Sequence, residues 1–153
     1  MEPEESGYGG RVHIKSCYNN RYLRRANHRQ YWIVAGAYEP EEDLSHWSCT
    51  LFEPEVVRSD NKAVIRLIHV RLGHYVTSFT KNDFNQCLLA ETKTPNLHNA
   101  MDVYTVVGLE PLLLPSPFVL KSNNNDMYLR YMLDQENNIH QILQFSAQDR
   151  TSE

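Results

Sequence analysis

The stretch "NHRQYW", Asn27 to Trp32, places two aromatic rings beside four hydrogen-bonding side chains within six residues. An aromatic face can cover the apolar C–H patch of a sugar, while planar amide and guanidinium groups address its hydroxyls. That chemistry is recognition, not catalysis. The Cys, His and Asp residues fall into no nucleophile–base pattern, and no Gly-rich phosphate loop occurs, so no enzyme is expected. His69 and His74 stand five apart with no further ligand at metal spacing, so neither a metal nor a cofactor is expected. Glu39, Glu41, Glu42 and Asp43 read as a solvated acidic loop, and Trp47 as a packing residue.

The elements that must position this cluster are written three times. "VHIKSCYNNRYLRR" (Val12 to Arg25) returns as "FVLKSNNNDMYLRYM" (Phe118 to Met132), with Lys15-Ser16 matching Lys121-Ser122 and Tyr22-Leu23-Arg24 matching Tyr128-Leu129-Arg130. A weaker copy, "IRLIHVRLGHYVTSF", stands midway: Tyr75 is 53 residues after Tyr22 and 53 before Tyr128. Ile14, Leu67 and Leu120 keep the same step. Downstream, "YWIVAGA", "QCLLAET" and "QILQFSA" begin at Tyr31, Gln86 and Gln141, and Pro40 and Pro95 are also 55 apart. The units alternate polar and apolar residues and are punctuated by Asn19-Asn20, Gly73 and Asn123 to Asp126, so they read as short strands joined by tight turns. Asp43 to Phe52 is the one weak helix candidate. In the repeated phrase, Leu23 and Leu129 are expected to pack, with Arg24 and Arg130 at turns.

Three β units are too few and too long for a solenoid, and fewer than the blades of a propeller. The expected fold is therefore all-β, a β-trefoil of three roughly 53-residue repeats. The expected organisation is a single domain over 1–153, with repeats at about 9–60, 61–113 and 114–153 plus the N-terminal 1–8. A chain of 153 residues can bury roughly two-thirds of its unfolded surface as one domain. At 41% hydrophobic and 22% charged it is too apolar for disorder. A net charge of −4 without a basic block argues against a nucleic-acid partner, and the longest apolar run, Leu112 to Leu114, excludes a helical membrane span. Three cysteines in no framework and an acidic N-terminus without an apolar core point to a cytoplasmic or nucleocytoplasmic protein.

The third unit ends before its fourth strand would come. "MEPEESG" at the N-terminus is similar to "FEPEVVR" from Phe52 to Arg58, as if the tail of that unit had moved to the front. The pattern is that of a circular permutation, or of a fragment cut out of phase from a tandem array.

At "VHIKS", "YNNRYL", "YW", "EPEED", "SHW", "CTLFEPEVV" and "RLIHVRLGHY" the chain resembles the amaranthin domain of plant lectins. The likeness is close over Gly9 to Tyr75 and Phe118 to Ala147, and loose over Asp102 to Val107. In that family the segment like Phe118 to Ala147 comes first, which agrees with the displaced order, and "VGLEPLLLPSP" (Val107 to Pro117) is similar to the connection between two family domains. The resemblance implies a β-trefoil without catalytic activity that binds galactose or N-acetylgalactosamine glycans such as the T-disaccharide. It also implies a head-to-tail homodimer with sugar sites between domains of different subunits. The family's Asn-His-Tyr-Trp sugar segment falls on Arg29, Gln30, Tyr31 and Trp32, the candidate carbohydrate-binding residues. Tyr31 and Trp32 match it, whereas Arg29 and Gln30 replace the Asn and His with a different donor pattern.

Whether Trp32 faces out depends on register. The step of 55 aligns Trp32 with Cys87 and Ile142, makes Ile33 the core residue beside Leu88 and Leu143, and turns Trp32 outward. A slip of one residue would put Trp32 in the core instead. The first register keeps Pro40 with Pro95 and Gly36-Ala37 with Ser146-Ala147, and is preferred. Two other readings stand beside the lectin: a trefoil that contacts proteins instead of sugar, and an engineered permuted chain.

Overall fold

The computed structural model describes residues 10–59, 63–81, 84–98, 100–108, 118–132 and 142–149. The N-terminal likeness at 1–7, most of the 107–117 connection and Gln141 therefore lie outside the described residues. The described chain is all-β. Its strands are β1 (Val12–His13), β2 (Lys15–Ser16), β3 (Arg21–Arg25), β4 (Ile33–Ala37), β5 (Leu51–Ser59), β6 (Ala63–His69), β7 (His74–Lys81), β8 (Phe84–Thr92), β9 (Tyr104–Gly108), β10 (Phe118–Ser122), β11 (Tyr128–Met132) and β12 (Ile142–Ala147). No described helix is long and apolar enough to cross a membrane. Asp43 to Phe52 forms turns that lead into β5. Its short polar centre favours local side-chain bonds such as Ser45 Oγ to Asp43 Oδ1 at 2.7 Å.

All strand pairs are antiparallel, and they fall into two sets. Along one set, β5 pairs both β1 and β6, and β9 pairs both β6 and β10. The other set consists of hairpin layers, β2–β3–β4, β6–β7–β8 and β10–β11–β12. The innermost strands of these layers meet one another: Trp32 bridges Leu89, Cys87 pairs with Gln144, and Ile142 pairs with Val34.

The turns explain the recurring phrase. Asn20, Gly73 and Asp126, each 53 residues from the next, all adopt left-handed backbone with φ of 60°, 66° and 63°. Asn, Gly and Asp are the residues that tolerate this conformation best. Each donates its N–H to the carbonyl four residues back, on Ser16, His69 and Ser122, at 2.8–2.9 Å. Asn19 accepts from the Arg21 N–H and donates its amide to the Ala35 carbonyl. Asn125 repeats both contacts with Met127 and Phe145. Lys15 over Tyr22 and Lys121 over Tyr128 repeat a cation–π contact at 5.2 and 5.8 Å.

The core lies where these layers meet. Ile14, Leu67 and Leu120 are buried in it, as are Leu23 and Val76, with Leu129 packed against it. Ile33, Leu88 and Leu143 belong to the same core, as do Ala35, Ala90 and Phe145. Tyr104 stacks on Phe145 and donates its hydroxyl to the Val76 carbonyl at 2.8 Å, so its polar end is satisfied inside the core. Arg24 and Arg130 are not at turns: both lie within strands, paired with Val34 and Gln144. Arg24 is accommodated there because Gly36 has no side chain; a Cβ at that position would lie 3.1 Å from the guanidinium.

Candidate functional site

The loop from Ala26 to Trp32 joins β3 to β4 and is closed at its base by the Ala26 N–H donating to the Trp32 carbonyl at 2.7 Å. Asn27 shapes the tip. Its Oδ1 accepts the Arg29 N–H at 2.9 Å, and its amide donates to Oε1 of the exposed Gln30 at 3.1 Å. Arg25 secures the loop from below, donating Nε to the Gln30 carbonyl at 3.0 Å and an Nη to the His28 carbonyl at 3.2 Å. It is almost fully buried because it shares the parity of Leu23 on β3. Its burial holds the guanidinium pKa below the usual arginine value, and the neighbouring Arg71 adds to this.

Tyr31 stands between two groups. The Arg25 guanidinium lies 5.3 Å from its ring centroid on one side, and the His74 ring lies 5.4 Å away on another. Tyr31 as a whole is 38% exposed. Its carbonyl accepts the Ala90 N–H at 2.9 Å, while His74 Nδ1 donates to the Ala90 carbonyl at 2.7 Å. Both protein neighbours therefore fix the ring's orientation. Trp32 is half-buried, outside the core cluster, while the adjacent Ile33 is 2% exposed within it.

Of the four candidate residues, Arg29, Gln30 and Tyr31 are exposed and Trp32 is partly so, all on one short loop. Together they offer aromatic surface, a guanidinium and an amide to a ligand lying across the loop. Arg25 and His74 were not legible as part of this site. Alternation in "YLRR", which gives Arg25 the parity of Leu23, is the signal that could have found Arg25, but nothing local links His74 to Tyr31. Among the described residues no group of three or more His, Cys, Asp or Glu side chains could hold a metal ion. His69 is paired across the β6–β7 hairpin with His74 and is fully buried. The acidic loop is organised by histidines: His46 Nδ1 lies 3.2 Å from Glu41, and His13 Nε2 lies 3.2 Å from Glu42. Trp47 carries the Arg24 guanidinium 5.0 Å from its ring.

The Agglutinin domain family matches residues 1–108, more than two-thirds of the chain. A solved Caenorhabditis elegans protein of unknown function is similar in structure, with a TM-score of 0.63 and 16% sequence identity over 94% of this chain and 89% of that one. At that identity the likeness concerns the fold alone. No curated protein matches the sequence significantly. The match over residues 1–108 joins a fixed aromatic loop to a family of non-enzymatic, carbohydrate-binding lectins, and the chain belongs to the Agglutinin domain family.

Proposed function

We propose that the chain is a β-trefoil lectin domain that binds galactose- or N-acetylgalactosamine-type glycans across Arg29, Gln30, Tyr31 and Trp32. The trefoil reading is supported by the cyclic pairing of the inner strands. Trp32, Cys87 and Ile142 are equivalent at steps of 55, and each pairs with the residue two positions beyond its equivalent in another unit, Leu89, Gln144 and Val34. The family match ends at Gly108, at the start of the stretch similar to an inter-domain connection, which favours the out-of-phase order. A homodimer with sites between subunits follows the same resemblance.

The observation that carries the sugar reading is Tyr31, held in place by Arg25 and His74 next to the exposed polar groups of Arg29 and Gln30. A pre-fixed ring loses little entropy when a sugar stacks on it. A glycan array probed with the folded chain tests this: galactosyl glycans above background are expected, and an empty array defeats the reading.

One observation favours a protein-interaction module instead. Arg25 and His74 already occupy much of the Tyr31 surface, leaving less of it for a sugar. Native mass with and without galactose separates the two, since a site shared between subunits predicts a sugar-dependent assembly.

A further inference from the structure

Four arginines lie in or near this loop without an acidic partner among the described residues. None of the ion pairs among the described residues engages Arg24, Arg25, Arg29 or Arg71; those pairs are His13–Glu42, His46–Glu41, His46–Asp43, Arg66–Asp102 and Lys121–Asp126. Arg24 Nη1 instead donates to the Arg25 and Ala26 carbonyls at 2.8 and 3.3 Å. Arg25 donates to the Gln30 and His28 carbonyls, and an Arg71 Nη reaches the Ser45 carbonyl at 3.4 Å, with Nε buried and unpartnered. The Arg29 guanidinium, at the exposed tip, meets the His28 ring at 3.3 Å.

Carbonyls and rings orient these guanidiniums without neutralising them. Burial lowers the Arg24 and Arg25 pKa; the charge of Arg71 lowers that of Arg25 further, and the charge of Arg21, outside this group, that of Arg24. The acidic residues of the 41–43 loop are engaged by His13 and His46 rather than by these arginines. The result is a local positive field on a chain of net charge −4.

We infer that the Arg29–Trp32 surface takes a glycan carrying an anionic group, a carboxylate or a sulfate ester, seated on Arg29, with the Arg25 guanidinium bound to the carbonyls of the same loop. This rests on the lectin reading. A guanidinium binds such groups through paired, charge-assisted hydrogen bonds while the attached sugar ring lies against Tyr31 and Trp32. A nucleic acid fits less well, because its repeated phosphates would extend beyond a small basic patch onto an acidic protein.

Titration of the folded chain with one galactosyl disaccharide in neutral, sialylated and sulfated forms, at low and high salt, tests the inference. The carboxylate or sulfate form is expected to bind about tenfold tighter than the neutral one at low salt, with the advantage shrinking as salt rises. The tighter of the two charged forms identifies the anion. Arg29→Gln, at an exposed position, should bring the charged-to-neutral affinity ratio to about one. Equal binding of all three forms overturns the inference and leaves the lectin reading standing; no binding of any form removes both. Displacement of the charged glycan by a single-stranded oligonucleotide, at lower concentration than by free disaccharide, overturns it in favour of nucleic acid.

Discussion

Tyr31 and His74 come from different hairpins, yet their ring centroids lie 5.4 Å apart with the planes inclined by 49°. Ala90 completes the circuit: its carbonyl accepts from His74 Nδ1, and its N–H donates to the Tyr31 carbonyl. His74→Ala removes both a wall of the Tyr31 site and the partner of a buried carbonyl. It should cost about 1–3 kcal/mol of stability in urea titration and weaken glycan binding while the chain remains folded. Unchanged binding in a folded variant excludes Tyr31 from the site.

The neighbours Trp32 and Ile33 should respond in opposite ways. Ile33 is in the core, so Ile33→Ala is expected to cost about 2–5 kcal/mol, read from the denaturation midpoint. Trp32 lies outside the core cluster and is half-buried, so Trp32→Ala should cost less than Ile33→Ala yet abolish sugar binding. A folded Trp32→Ala protein that binds normally removes the loop assignment.

His69 makes stability depend on acid. Burial first, and then the charge of Arg25, push its pKa down from 6.5 to about 4, with the Cys49 backbone offsetting part of the shift. The imidazole is neutral inside the fold and protonates more readily once unfolded. Its contribution is thus fully present above pH 6.5 and lost as pH falls from there to about 4. The loss is about 3 kcal/mol at most. Stability measured against pH in wild type and His69→Phe should differ in slope across that window; parallel curves would contradict the assignment.

Asp102 is a buried carboxylate held by the Asn96 N–H at 2.6 Å and by Arg66 Nε at 3.3 Å. Asp102→Ala leaves the Arg66 charge unmatched and should destabilise by about 3–5 kcal/mol. Asp102→Asn keeps an acceptor for Asn96 and should lose less, as urea midpoints for the two variants will report.

Sequence spacing located the buried positions of β1–β4 and their counterparts because burial limits each site to residues of similar size and polarity. Ile14, Leu67 and Leu120 at one step, and Ile33, Leu88 and Leu143 at another, all lie in the core. The turn chemistry was equally legible: only a few residues accept the left-handed backbone of Asn20, Gly73 and Asp126. The repeated phrase is therefore hairpin scaffolding. Illegible were contacts made at a distance along the chain. "YLR" carries no sign that Arg24 would lie over Gly36 inside a strand, and no motif joins His74 to a loop more than forty residues earlier. Such contacts depend on how the layers stack, which spacing within one layer does not record.

Synthesis on the ribosome gives the inner-strand ring a clock. Val34 emerges 108 residues before Ile142, the partner against which β4 pairs. At about 5–20 residues per second, β4 waits roughly 5–20 s with that edge open. Until then β4, already paired to β3 on one side, presents an open hydrophobic edge on the other, and the nascent chain depends on whatever shields it during that interval.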